Sequence, residues 1–373
     1  MKIIYTINAT CNSGGMERIL SSKVNYLADH LNYEIIIVTT EQRNRQHFFH
    51  FSDKIRFVDL GINYDEDKDC SILLRLIRQT RKKRKHRRLL FTLLQQEKPD
   101  ISISMFDRDY DFLYKLKDGS RKVLEYHFSK YVKRFEAGNV LMKMVQSLRI
   151  GWWNILIRRY DAFVVLTEED KKQWGSLPNV YVIPNFIDRL PENISDLSSK
   201  TVMAAGRVSH QKGFDLLIEA WRIVSLQNPD WELKIVGGGD KSILEDMRCK
   251  YNLHNIRLIP ATLNIDKEYN SSSLFVLSSR YEGFGLVLIE AMSHGLPLVS
   301  FECPCGPRDI IDSSFGELVS NGSITQLAAA LMLFIEDPEK RKTAGIHARE
   351  AVKKYEQKKV MTLWVHLFNN LLK

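Results

Sequence analysis

Short apolar runs rich in β-branched residues recur along the chain. A first series covers residues 3–7, 35–39, 56–60, 101–106, 122–126, 162–166 and 180–183; a second covers 202–205, 233–236, 257–259, 274–277, 297–301 and 317–319. Runs such as IIIVTT, starting at Ile35, are apolar at consecutive positions, the pattern of a strand buried on both faces in a parallel sheet. The segments separating them are helical in pattern. Alternating strands and helices predict an α/β architecture with doubly wound sheets. The two series part at residues 184–200 (PNFIDRLPENISDLSSK), where proline, serine, asparagine and aspartate replace the periodic pattern, as in a linker. We therefore expect two Rossmann-like domains, 1–183 and 184–355, facing across a cleft, with ligand bound beyond the carboxyl ends of the strands. A last helical pattern covers residues 352–373.

The length of 373 residues agrees with two domains, because single cores rarely grow beyond ~250–300 residues. No apolar run approaches the ~18 residues of a membrane-spanning helix. The start of the chain, MKIIYTINATCNSGG, is patterned as a strand rather than a secretion signal, so a cytoplasmic protein is expected. Cys11, Cys70, Cys249, Cys303 and Cys305 are scattered, and no second pair completes a zinc site with Cys303 and Cys305. Reduced thiols without a metal are expected.

The net charge of +9 has one main source. Arg75, Arg78, Arg81, Lys82, Lys83, Arg84, Lys85, Arg87 and Arg88 form a run with no acid among them. Lys130, Lys133, Arg134, Lys143, Arg149, Trp152, Trp153, Arg158 and Arg159 follow further on. Cations mixed with tryptophan and leucine suit an anionic membrane surface; a solvated helix face has the same composition. A nucleic-acid partner is not expected, because no recognition module or stacking platform accompanies the run.

Candidate chemistry concentrates where strands end. Residues 278–290 (SSRYEGFGLVLIE) put Glu282 on a turn bracketed by Gly283 and Gly285, with Glu290 on the helix that follows. Amides at a helix start attract phosphate, and carboxylates accept hydrogen bonds from sugar hydroxyls; a sugar nucleotide carries both groups. Gly206 and Arg207 end one strand, and Lys212 and Gly213 open the next helix. Arginine offers phosphate a planar fork and lysine a point charge. Fixed cations there stabilise the charge that grows on a departing nucleoside diphosphate, although taken alone they read equally as surface cations. Gly14 and Gly15 bring backbone close to a ligand or simply make a tight turn. His127 follows a strand end, where catalytic groups and satisfied structural histidines both occur. Asp107, Arg108 and Asp109 bind acceptor hydroxyls or phosphate, or cap the next helix. Gly237, Gly238, Gly239 and Asp240 lack the dinucleotide spacing and read as a loop under a nucleotide or as a structural turn.

Taken in order, GGMER at 14–18, His127, Arg207, Lys212, the pair Glu282 and Glu290, and CPCGPRDI at 303–310 resemble the motifs of the GT-B glycosyltransferases, in particular family 4 of retaining enzymes. The resemblance spans most of the chain. It implies that the last helix, 356–373, packs back on the first domain. It implies catalytic roles for His127, Glu282, Arg207 and Lys212, and donor binding by Gly15, Arg207, Lys212, Ile259, Phe284, Gly285, Leu286 and Glu290. Glu290 would hold the ribose hydroxyls, and Glu282 and His127 would lie beside the transferred sugar. Neither cofactor nor metal is implied, because cations and helix dipoles take the metal's part. The implied mechanism is a front-face substitution in which the leaving phosphate takes the acceptor's proton. The expected donor is a UDP-sugar carrying a hexose or N-acetylhexosamine. The expected acceptor is a lipid-linked or oligosaccharide glycan, with Asp107 and Arg108 as acceptor-binding candidates. CPCGPRDI is similar to the stretch of members that build capsule, O-antigen or lipid-linked oligosaccharides. Such an acceptor suits a protein peripheral on the inner face of the cell membrane, with Arg81, Lys82, Lys83, Arg84, Lys85, Trp152 and Trp153 towards the lipid. The competing readings are a GT-B-fold sugar-nucleotide epimerase and a basic nucleic-acid- or membrane-binding protein without catalysis.

Overall fold

The computed structural model describes residues 1–67, 71–130, 132 and 140–373, and all but the side chains of Ile72 and Leu141 among them. Cys70, Lys133 and Arg134 lie outside the described residues. The first apolar series forms β1 (Lys2–Ile7), β2 (Glu34–Thr39), β3 (Arg56–Asp59), β4 (Ile101–Ser104), β5 (Arg121–Glu125), β6 (Ala162–Val165) and β7 (Val180–Val182). They make one sheet in the order β3-β2-β1-β4-β5-β6-β7. The second series forms β8 (Thr201–Ala205), β9 (Glu232–Val236), β10 (Ile256–Ile259), β11 (Leu274–Leu277), β12 (Leu298–Phe301) and β13 (Gly316–Val319), in the order β10-β9-β8-β11-β12-β13. Every described pairing is parallel, as the doubly apolar runs predict. β1 faces β2 from Lys2 opposite Glu34 to Ile7 opposite Thr39. β4 stops short of the expected 106, where Phe106 turns to a positive φ of 55°.

The crossovers are mainly helical: α1 (Gly15–His30), α2 (Ile72–Glu97), α3 (Val140–Ile157) and α4 (Glu168–Trp174) in the first half. The second half has α5 (Phe214–Gln227), α6 (Ser242–Lys250), α7 (Ile265–Asn270), α8 (Leu286–Ser293), α9 (Pro307–Ile310), α10 (Ile324–Glu336), α11 (Pro338–Ala351) and α12 (Gln357–Leu372). In each sheet the strand order reverses at one point, β1 beside β4 and β8 beside β11. At such a reversal the two crossovers leave on opposite faces, so the loops after those strands diverge and leave room for a ligand.

The chain divides into two compact units. One contains Met1–Leu166, Lys171–Ile183 and Val360–Lys373; the other contains Thr167–Asp170 and Pro184–Lys359. Thr167–Asp170 belongs to the second because the Glu169 amide donates to Asp309 Oδ2 (3.1 Å) and Arg308 pairs with Glu169 (3.0 Å). In the first unit, Leu90 and Leu94 of α2 and Ile150, Trp153, Leu156 and Ile157 of α3 share one apolar cluster with Phe163 and Val165 of β6. None of the described helices is long and apolar enough to cross a membrane.

Candidate active site

In the second unit the loops after β8 and β11 are packed against each other. Gly213 has φ 61°, and a Cβ there would fall 2.2 Å from the Ser278 carbonyl oxygen, so only glycine allows the approach. Ser278 Oγ donates to the Lys212 carbonyl (2.9 Å). Arg280 forms a two-pronged ion pair with Asp215 (2.9 and 2.6 Å) and donates to the His210 carbonyl (2.8 Å). This lacing brings two of the sequence-predicted residues together: Lys212 Nζ lies 2.7 Å from Glu282 Oε1, which also accepts from Ser279 Oγ (2.6 Å). Glu282 is buried and Lys212 half-buried. Arg207, one residue past the glycine that ends β8, is exposed, and its guanidinium has no partner among the described residues. The second unit therefore offers one neutralised and one open cation beside the β8–β11 switch point.

The Glu282 turn is held from below by the cysteine-containing loop. The Glu282 amide donates to the Pro304 carbonyl (2.7 Å), and the Cys305 amide donates to the Glu282 carbonyl (3.1 Å). A Cβ at Gly306 would fall 2.0 Å from the Phe284 carbonyl oxygen. CPCGPRDI thus acts as the support of the Glu282 turn, with Cys303 and Cys305 fully buried and burial holding the Cys303 thiol well above its usual range. Phe284 is buried against Tyr355 (centroids 5.7 Å apart), so what it offers a ligand is backbone.

α8 begins after Gly285, which has φ 93°. The amides of Leu286 and Val287 have no acceptor among the described residues, so this helix start presents open donors and the positive end of a helix dipole. Leu288, Ile289, Ala291 and Met292 bury one side of α8. Glu290, one turn in, is half-buried and accepts from the Tyr269 hydroxyl (2.9 Å). At the end of β10 the Ile259 carbonyl accepts from the Gly237 amide (3.0 Å). A Cβ on Gly237 would fall 1.8 Å from the Gly206 carbonyl oxygen, so the first glycine of that turn is demanded by packing.

In the first unit, Gly15 is exposed at the start of α1, while Glu17 in its first turn is buried and accepts from Asn12 Nδ2 (3.1 Å). His127 is buried, with Nε2 2.9 Å from Glu125 Oε1. Glu125 is itself gripped by Lys23 Nζ, 2.6 Å from Oε1 and 2.5 Å from Oε2. Burial pushes the Glu125 carboxyl up, but the Lys23 charge and the His127 hydrogen bond outweigh it and hold it down at about 2.

The three residues after β4 separate by role. Asp109 is buried and accepts from Thr6 Oγ1 (2.5 Å) and Ser104 Oγ (2.6 Å), which makes it a structural tie. Arg108 is exposed, 3.6 Å from Asp65. The Asp107 carboxyl has no side-chain partner among the described residues, and burial together with the Asp109 charge pushes it up to about 7. The expected membrane face needs one correction. Trp152 is 45% exposed, but Trp153 is 3% exposed and packs on Phe106 and Trp174 inside the core. A helix turns by ~100° per residue, so adjacent tryptophans cannot share a face. Lys82 pairs with Asp67 (2.9 Å) and Lys83 with Asp111, whereas Arg81, Arg84 and Lys85 stay exposed.

Residues 188–351 match the family model of the glycosyl transferases group 1. The matched stretch lies within the second unit. The two Rossmann-like sheets agree with the GT-B fold expected from the sequence. The chain is 28% identical to an uncharacterized glycosyltransferase of Haemophilus influenzae, over 97% of this chain and 98% of that protein. It is 27% identical to the amylovoran biosynthesis glycosyltransferase AmsD of Erwinia amylovora, over 99% of both. Its fold is similar to that of an S. aureus TarM mutant solved with fondaparinux, alpha-GlcNAc-glycerol and UDP, with TM-score 0.78, 17% identity and 99% of each chain covered.

Sequence reasoning missed Lys23 and Glu125. A lysine in a helix and a glutamate in a strand read as surface charges, and Lys23 and Glu125 lie 102 positions apart. The one available signal was a glutamate directly after two apolar residues at the end of β5, two residues before His127. Tyr269, Arg280 and Asp215, which brace Glu290 and the loops around Lys212 and Glu282, carry no motif of their own.

Proposed function

We propose that the chain is a retaining, metal-independent family 4 enzyme. It moves a hexose or N-acetylhexosamine from a UDP-sugar to a hydroxyl of a lipid-linked glycan in cell-surface polysaccharide biosynthesis. The observation that carries this reading is the Lys212–Glu282 contact beside the open amides of α8, with Glu290 one turn further along the same helix. The helix start and the Arg207 and Lys212 cations would bind the diphosphate. Glu290 would accept from the ribose hydroxyls. Glu282, held by Ser279 and Lys212, would accept from the transferred sugar, and His127 would meet the same sugar. As the anomeric carbon–oxygen bond to the diphosphate breaks, charge grows on the leaving oxygen, and a fixed cation stabilises that state more than the bound donor. The acceptor oxygen bonds to the same carbon from the same face, and its proton passes to the leaving phosphate. The UDP in the TarM structure and the AmsD likeness support the donor and the pathway class. Asp107 and Arg108 remain the acceptor-binding candidates.

Binding to the inner membrane face is part of the proposal. Val140, Met144, Leu148, Trp152 and Ile155 lie on one stripe of α3, and each is at least 45% exposed. A helix apolar on both its core-facing and its outer side calls for a cover. A bilayer supplies it, and Arg81, Arg84 and Lys85 on α2 add attraction to anionic headgroups.

The test is a thermal-shift panel of UDP, GDP and ADP on the protein and on Glu290→Ala. A nucleotide at ~100 times its Kd adds ~2.7 kcal/mol to stability. UDP is expected to raise the melting temperature of the protein and not of the variant. No shift with any nucleotide would overturn the reading.

A further inference from the structure

The buried charges behind His127 form a chain that donor binding alone does not require. Lys23 Nζ, on α1, lies 4.1 Å from the Trp364 ring centroid and 5.1 Å from that of Tyr5, while both Glu125 oxygens accept from it. The side chains of Lys23 and Glu125 are 0% and 1% exposed. A buried ion pair is a weak stabilising device, since desolvation offsets most of its attraction. What this one does have is a neighbour: Glu125 Oε1 also meets His127 Nε2. An ionised carboxylate can only accept, so the proton at that contact belongs to the imidazole. Rotating the ring by half a turn would set a C–H against the carboxylate and lose the bond. His127 Nδ1 has no partner among the described residues.

We propose that Lys23 and Glu125 are positioning residues that fix the His127 proton on Nε2 and leave Nδ1 as the nitrogen that meets the sugar. Lys23 keeps Glu125 ionised and aimed. Glu125 sets the ring's orientation and tautomer. His127 then presents a defined acceptor to a sugar hydroxyl. The inference rests on the reading that His127 contacts the transferred sugar.

The experiment uses the full chain labelled with ¹⁵N-histidine, with the His127 signals identified by their loss in His127→Asn. Imidazole ¹⁵N resonances are followed from about pH 6 to about pH 9, across the ordinary histidine range. In the wild-type protein the proton of the neutral ring is expected on Nε2, against Glu125. In Glu125→Gln, whose amide can donate or accept, the proton is expected to spread over both nitrogens. Lys23→Met/Glu125→Gln removes both charges and is expected to show the same loss, which covers the case in which the single variant does not fold. Consumption of UDP-glucose and UDP-GlcNAc is measured alongside. A fall of about tenfold in kcat, the worth of one hydrogen bond, with little change in KM, is expected in both variants. A proton shared in the wild-type protein, or a tautomer unchanged by Glu125→Gln, overturns the positioning role. A tautomer that changes while kcat stays the same, with His127→Asn equally silent, overturns the contact of His127 with the sugar and the inference resting on it.

Discussion

Lys212 and Arg207 are both cations after β8, yet they are not equivalent. Lys212 is held by Glu282, whereas Arg207 is exposed and unpaired among the described residues. Lys212→Ala is expected to cut turnover by ~2–4 kcal/mol of transition-state stabilisation and also to lower stability, because Glu282 is left buried without its partner. Arg207→Ala is expected to weaken UDP binding by ~1.5–3 kcal/mol and leave stability within ~0.5 kcal/mol. Calorimetric UDP titration and urea unfolding of the two variants separate these outcomes, and equal stability losses would contradict the assignment. His86 carries a pH prediction. It is 1% exposed, its Nδ1 meets the Tyr64 hydroxyl (3.1 Å), and its Nε2 has no partner among the described residues. Burial, then the charge of Lys83, pull its imidazole down to about 4, from an ordinary ~6.5. The folded state therefore takes up this proton later than the unfolded chain. Stability is intact above ~6.5 and falls as pH drops towards about 4, by about 3 kcal/mol at most. Asp107, pushed up to about 7, works the other way, gaining stability over part of the same range. The comparison that isolates His86 is the difference in urea stability between the protein and His86→Phe at pH 7 and at pH 4.5. The variant should lose less, and an equal loss would mean His86 does not carry the effect.

At the scale of elements, α2 and α3 present faces that composition alone could not separate. The basic run of α2 divides by its turns. Lys82 and Lys83 reach Asp67 and Asp111, while Arg81, Arg84 and Lys85 are exposed, Lys85 reaching only the Gly61 carbonyl (3.5 Å). Replacing Arg81, Arg84 and Lys85 with glutamine is expected to lower affinity for anionic vesicles by on the order of 100-fold, at ~1 kcal/mol per cation, without changing the melting temperature. Lys82→Gln or Lys83→Gln should do the reverse. On α3, Leu148→Ser, at a residue 77% exposed, should weaken vesicle binding and spare the fold. Vesicle co-sedimentation decides, and binding unchanged by all of these would remove the membrane face. The strands were legible because parallel-sheet burial writes itself as consecutive apolar residues. The neighbourhood of Lys212, Glu282 and the start of α8 was legible because a switch point gathers glycines, a helix start and charges within a few positions of sequence. Trp153 was misplaced because adjacent positions on a helix point apart, and the run of cations hid which of them had acids within reach.

For the whole molecule, the first unit is discontinuous in sequence. The chain leaves it at Ile183 and returns at Val360. The returning α12 buries Val360, Met361, Trp364, Leu367 and Phe368, and Trp364 covers the ammonium of Lys23. Each such side chain contributes roughly 1.5–3 kcal/mol, so together they approach the ~5–15 kcal/mol by which an entire domain is stable. The final helix is therefore a structural part of the first unit, and the Lys23–Glu125–His127 chain depends on it. Truncation after Lys359 is expected to unfold the first unit and spare the second, whose sheet and Lys212–Glu282 contact draw on residues before that point. Hydrogen exchange should show β1 and β5 losing protection while β8 and β11 keep theirs, with the UDP-induced thermal shift surviving if the donor residues of the second unit suffice for nucleotide. Protection lost evenly across both sheets would mean that the units unfold as one. Protection kept in β1 and β5 would mean that α12 is dispensable, and that the cover over Lys23 does not hold the charge chain in place.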